Sequence, residues 1–172
     1  MHSFRFDALW GVLLGLWLSL AGVAAAQQSV GAVTNLSLPR FVSMKTSEAF
    51  ARRGPGKIHK IDWTFVRRSL PLKVIAEHGH WRRVEDNEGK GGWIHYALLS
   101  RTRTVLVTGE TVEMFSKPAG VSRLVAKLEP GVVGKLLTCE AELCKIETQD
   151  GTGGTYEGWV RREALWGLTE TD

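Results

Sequence analysis

The chain is poor in the residues from which active sites are usually assembled. It has two cysteines and five histidines in 172 residues. Cys139 and Cys144 lack a nearby histidine or a third cysteine, so they do not make a closed metal site. No histidine lies near either one in local sequence to make it a catalytic thiol. His78 and His80 flank a glycine at a loop tip, where side chains are ordinarily solvated. His59 with Asp62, three residues apart, and His95 after Trp93 set no base against a nucleophile. No glycine-rich phosphate motif precedes a helix, and nothing resembles a long amphipathic helix. These absences predict a non-enzymatic chain with no cofactor and no metal.

Charge is not strongly one-sided overall, with 22 basic against 18 acidic residues, but it is unevenly placed. Residues 27–100 hold 12 basic and 6 acidic side chains, whereas residues 101–172 hold 9 and 11. A basic half can prefer anionic partners such as nucleic acid, acidic lipid or cell-wall polymer. The alternative, that lysine and arginine merely solvate a small domain, has equal standing.

One long hydrophobic run exists, at the start. A short polar segment carrying Arg5 is followed by the apolar stretch Ala8 to Ala21 and then by Ala24-Ala25-Ala26. That order predicts a secretory signal peptide over residues 1–26, cleaved after Ala26. The uncharged stretch from Ala8 to Ala26 is also long enough to span a bilayer as an uncleaved anchor. Leu20-Ala21-Gly22-Val23 resembles a lipoprotein cleavage box, but Val23 stands where the lipid-bearing cysteine belongs. The expectation is therefore export to the periplasm or medium, with no stable membrane anchor after cleavage. Export makes nucleic acid the least suitable of the anionic partners.

The remainder contains an internal repeat. Setting Val84 against Ile146 aligns Glu85 with Glu147, Asn87 with Gln149, Glu88 with Asp150 and Gly89 with Gly151. After a four-residue insertion, Gly92-Trp93-Ile94 meets Gly158-Trp159-Val160. Each copy alternates apolar and polar residues, breaks at an acidic-glycine turn and resumes at an apolar tryptophan, the pattern of a β-hairpin with one buried face. Many short strands at close spacing, separated by turns such as Arg53-Gly54-Pro55-Gly56 and Glu129-Pro130-Gly131, predict an all-β chain. Five segments follow: a signal segment 1–26, a linker 27–39, a first module 40–103, a second module 104–168 and a tail 169–172. In the stretch Thr-Cys-Glu-Ala-Glu-Leu-Cys, a turn over Glu140 to Leu143 lets Cys139 and Cys144 face each other as a hairpin disulfide, which an exported protein retains.

The order Ala-Arg-Arg-Gly-Pro (51–55), Leu-Pro-Leu-Lys-Val-Ile (70–75), Trp-Arg-Arg-Val (81–84) and Gly-Trp-Ile (92–94) resembles the bacterial SH3-like (SH3b) domain. With Cys-Glu-Ala-Glu-Leu-Cys and Leu-Trp-Gly in the second copy, residues 40–168 resemble the exported two-module form. The resemblance implies two tandem SH3-like β-barrels that bind cell-wall peptides or polypeptide partners. This chain departs from the family pattern at Phe50, where the family has asparagine. In the second copy, Phe115 stands for an arginine, Lys117 for a glycine, and Leu143 for the aromatic that is Trp81 in the first copy.

If the geometry is SH3-like, Trp63, Phe65, Trp81, Trp93 and Tyr96 line one groove that grips an extended peptide. The competing use of these rings is to fill the core of a barrel of about 60 residues. Arg52, Arg53, Arg82 and Arg83 offer an anionic contact, and strand alternation sends Arg82 and Arg83 to opposite faces. Trp63, Trp81, Arg52 and Tyr96 are thus the candidate ligand residues. The functional expectation is an exported adaptor of the cell envelope binding peptidoglycan peptides or an envelope protein. The alternative is an accessory or regulatory subunit of a wall hydrolase.

Overall fold

The computed structural model describes residues 29–170 and 172; the expected signal segment lies outside the described residues. Almost every element is a strand. β1 (Ser29–Val30) and β2 (Ser37–Leu38) form a small hairpin. β3 (Arg40–Met44), β4 (Ala49–Arg52), β5 (Ile61–Phe65), β6 (Pro71–His78), β7 (Trp81–Glu85), β8 (Gly91–His95) and β9 (Leu99–Ser100) form one antiparallel sheet in the order β5-β4-β8-β7-β6-β3-β9. The second module repeats it with β10 (Thr104–Val107), β11 (Val112–Phe115), β12 (Leu124–Leu128), β13 (Val133–Glu140), β14 (Leu143–Gln149), β15 (Thr155–Arg161) and β16 (Leu165–Trp166) in the order β12-β11-β15-β14-β13-β10-β16. In each, a single 3-10 turn, Tyr96–Leu98 or Arg162–Ala164, leads into the last strand. Both modules are SH3-like β-barrels.

Strand alternation fills each barrel. Val42, Met44, Leu72, Val74, Val84 and Ile94 close the first core. Val105, Val107, Met114, Cys144, Ile146 and Val160 close the second. Fully burying side chains of this size stabilises by about 1.5–3 kcal/mol each. Cys139 and Cys144 are directly paired across β13 and β14 and joined by a disulfide, with Ala141 at positive φ in the two-residue turn between the strands.

The structure corrects the repeat alignment at its turns. Asp86 accepts from the backbone N–H groups of Glu88 and Lys90 at 2.9 and 2.8 Å. Asp150 accepts from those of Thr152 and Gly154 at 2.9 and 2.7 Å. Asp86 therefore corresponds to Asp150, and Gly89 (φ 78°) to Gly153 (φ 92°). The insertion is not one block after the turn. It lengthens both strands by the pairs Thr148–Tyr156 and Gln149–Thr155. Hydrogen bonds from the Thr152 hydroxyl and then the Gly154 and Thr152 N–H groups bring the Asp150 pKa down to about 2. The same carboxylate accepts from the Tyr156 hydroxyl and raises that phenol above its ordinary value.

The segment read as a linker is partly built into the first barrel. Leu38 joins the core, and the loop between β1 and β2 is pinned by Glu77, whose side chain is fully buried. Glu77 accepts from Val33 N–H at 3.0 Å, Thr34 N–H at 2.8 Å and the Thr34 hydroxyl at 2.7 Å. It also pairs with Arg40 at 2.6 Å and with Arg82 Nε at 3.4 Å. Burial pushes this carboxyl up, but the Thr34, Val33 and Arg40 hydrogen bonds outweigh it and hold the pKa at about 2. A Cβ on Gly31 would lie 2.4 Å from the Glu77 carboxyl, so only glycine lets the hairpin seat there.

The modules touch. The Phe41 ring meets Trp166 edge-on at 5.0 Å, and the Arg103 guanidinium sits 5.9 Å from the Phe41 centroid. The Thr104 hydroxyl donates to Ser69 C=O at 2.8 Å. The segment read as a tail is tied back, for Asp172 pairs with Arg103 at 2.8 Å. Burial pushes the Asp172 carboxyl up, but hydrogen bonds from Arg103 and Thr169 outweigh it and lower its pKa.

Candidate binding groove

The antiparallel register aligns one row of side chains across the outer face of the first barrel. Ile61 on β5 is paired with Arg52 on β4, Arg52 with Trp93 on β8, and Trp93 with Arg83 on β7. Directly paired residues share a face, so a tryptophan lies between two arginines. The glycine before that tryptophan is a backbone requirement. Gly92 has φ 146°, and a Cβ there would lie 2.6 Å from the Arg52 carbonyl oxygen. Gly158 meets a similar close approach in the second barrel, without the positive φ, where a Cβ would lie 2.5 Å from the Met114 side chain and 2.7 Å from Phe115 C=O.

Around this row lies a groove of about 520 Å3, lined by Arg52, Arg53, Asp62, Trp63, Arg83, Glu85, Lys90 and Trp93 among others. Trp63 is 40% exposed, and the Lys90 ammonium sits 6.0 Å from its ring centroid, within reach of a cation–π attraction. Arg52 donates to His59 C=O at 2.8 Å, and Arg53 pairs with Asp62 at 3.0 Å. Trp63 and Arg52 are therefore brought together, along with Arg83.

The five aromatics do not share one groove. Phe65 is buried in the core. Trp81 and Tyr96 belong to a separate cluster: His95 stacks on Tyr96 at 5.0 Å and receives the edge of Trp81 at 5.6 Å, with His80 5.6 Å from Tyr96. Trp81 follows the same strand face as Arg83, but its ring packs on His95 rather than lining the groove. The strand alternation of Arg82 and Arg83 holds. Arg82 turns inward to Glu77 and to the carbonyls of Gly79 and Trp81, while Arg83 is exposed in the groove. Lys90 was readable in the sequence only as part of a glycine turn; its position between hairpin glycines gave no sign that the turn folds beside Trp63. Among the described residues no group of three or more His, Cys, Asp or Glu side chains converges to hold a metal.

The corresponding row of the second barrel is Leu124, Phe115, Trp159 and Lys145. Its groove is smaller, about 290 Å3, and is lined mainly by Phe115, Pro118, Leu143 and Trp159 with Lys117. Lys145 is neutralised by Glu157. The departures Phe115, Lys117 and Leu143 all fall at this one place, so the repeat preserves the barrel and changes the chemistry of its surface.

The solved structures to which the chain is similar include NlpC2 and NlpC1 from Trichomonas vaginalis, each 11% identical with a TM-score of 0.34. The alignments cover 74% and 83% of this chain but only 48% and 47% of those proteins, so the chain spans about half their length. A search of curated proteins finds no match. The model of the bacterial SH3 domain matches residues 45–101 and again 108–167, one match for each barrel. The chain therefore belongs to the bacterial SH3 domain family, whose members are commonly cell-wall binding modules.

Proposed function

We propose that this protein is a non-catalytic, exported adaptor of the cell envelope, and that its first module binds a peptidoglycan peptide or a peptide segment of an envelope protein. The observation that carries this reading is the groove around Trp63, Arg52, Trp93 and Arg83, an exposed aromatic and cationic surface on a module of a wall-binding family. The Cys139–Cys144 disulfide supports an oxidising compartment such as the periplasm. Peptide grooves of this kind use aromatic walls for contact and polar groups for register.

The test is co-sedimentation of the mature chain with insoluble peptidoglycan at low and moderate salt. Binding that persists at moderate salt and falls at least about tenfold in Trp63→Ala, with unchanged near-ultraviolet circular dichroism, supports the reading; a tenfold loss is an ordinary cost for a truncated aromatic anchor. Equal binding by wild type and Trp63→Ala, or no binding to wall and none to envelope extract, removes the groove from the explanation.

A further inference from the structure

Building on that binding role, we propose that the first-module groove is specific for a peptide bearing carboxylate side chains, and that the second module lacks this specificity. The charges in the groove divide into those already paired and those left over. The two acids of the groove are engaged, Asp62 with Arg53 at 3.0 Å and Glu85 with Lys73 at 3.5 Å. Among the described residues Arg83 and the Lys90 ammonium have no carboxylate partner, and both are exposed in the groove. Register places Arg83 beside Trp93, and Lys90 lies over Trp63, so each cation adjoins an aromatic ring. That pairing suits a ligand with carboxylates set along an apolar or amide backbone, because rings contact the backbone while cations take the charge. A volume of about 520 Å3 is that of a site for an organic ligand rather than for a single small ion.

The second barrel serves as the internal comparison. Phe115 takes the place of Arg52, Gly154 that of Lys90, and Lys145, in the place of Arg83, is consumed by Glu157. Both changes at the hairpin remove free positive charge while Trp159 remains, which leaves Lys117 as the single cation among the residues lining that groove. A ligand held through carboxylates is thus directed to one module of the two.

The experiment is a nuclear magnetic resonance titration of the full chain with the capped peptide Ala-Glu-Ala-Glu-Ala, its Ala-Gln-Ala-Gln-Ala counterpart, and sodium acetate, each to millimolar concentration. The indole N–H signals of Trp63, Trp93 and Trp159 are the readout. The glutamate peptide is expected to shift Trp63 and Trp93 and spare Trp159, and the glutamine peptide to bind at least about fivefold more weakly. Arg83→Gln and Lys90→Gln each weaken the glutamate peptide about threefold, the scale of an exposed ion pair, and Lys117→Gln in the second groove does not. Equal affinity for the two peptides overturns the charge specificity and leaves the binding role standing. Acetate matching the glutamate peptide in affinity reduces the site to a simple anion site and overturns the peptide claim. If neither peptide shifts the indoles while wall sedimentation still depends on Trp63, this inference fails alone; if sedimentation fails too, both readings fail. The comparison of the two peptides needs no variant, so misfolding of Arg83→Gln leaves it decisive.

Discussion

Replacing Glu77 by glutamine removes the charge that ties the N-terminal hairpin to the first barrel, and the cost follows from the titration of that one group. Its pKa falls from 4.5 to about 2 on folding. At 1.36 kcal/mol per unit, the ionised carboxylate contributes on the order of 3 kcal/mol at neutral pH. Because the folded pKa is the lower one, this stability is present in full above about pH 4.5 and is lost as the pH falls towards 2. By the same linkage about 1.4 kcal/mol remains at pH 3. Glutamine keeps the shape but leaves Arg40 and Arg82 facing a neutral group, 2.6 and 3.4 Å from where the carboxylate oxygen stood. Urea unfolding of wild type and Glu77→Gln, followed by tryptophan fluorescence at pH 7, 5, 4, 3 and 2.5, measures the difference directly. Other titrating groups, Asp150 and Asp172 among them, act in both proteins and cancel. A difference of about 3 kcal/mol that holds from pH 7 to 5 and shrinks below it is expected. A difference independent of pH, or smaller than about 1 kcal/mol at pH 7, would falsify the account of Glu77 as a clamp.

Two further outcomes separate backbone requirements from packing. Gly92→Ala meets both a positive φ and the Arg52 carbonyl at 2.6 Å, and is expected to cost more than about 2 kcal/mol, whereas Gly89→Ala, with positive φ but nothing within 4 Å, costs about 1–2 kcal/mol; equal losses in denaturant melts would remove the close approach as a cause. Cys139→Ser with Cys144→Ala opens a very short loop, so the loss of chain-entropy stabilisation is at most about 2 kcal/mol, and circular dichroism should show the second barrel still folded; complete unfolding would mean that the disulfide, not the core, maintains it.

Much of the architecture was legible because it is written in local patterns. Period-2 alternation separates Arg82 from Arg83, and acidic-glycine turns mark both hairpins. The Gly-Trp step recurs because a strand must pass close to the neighbouring carbonyl, and two cysteines flanking a turn face each other on paired strands. Each of these depends on residues near one another in the chain, or on a pattern that the second copy repeats. The candidate site was legible only in part. Trp63 and Arg52 do meet, but Trp81 and Tyr96 turn to a histidine cluster, and the place of Lys90 beside Trp63 has no local signal. Which ring reaches which groove depends on strand order, bulges and side-chain packing, none of which leaves a mark in the linear pattern.

The sequence by itself determined the two modules, their all-β character, the hairpins and the disulfide pair, because hydrophobic alternation and turn chemistry act within a few residues. Tertiary structure alone decided that residues 29–38 are tied to the first barrel, since that depends on a carboxylate more than forty residues away in Glu77 accepting hydrogen bonds from Val33 and Thr34. It also decided that the repeat's insertion extends both strands of one hairpin, and that Arg83 and Lys90 gather beside two tryptophans in the first barrel, where the second groove has Lys117 beside one. Those outcomes depend on cross-strand register, which joins residues far apart in the chain and is set by the packing of the whole barrel.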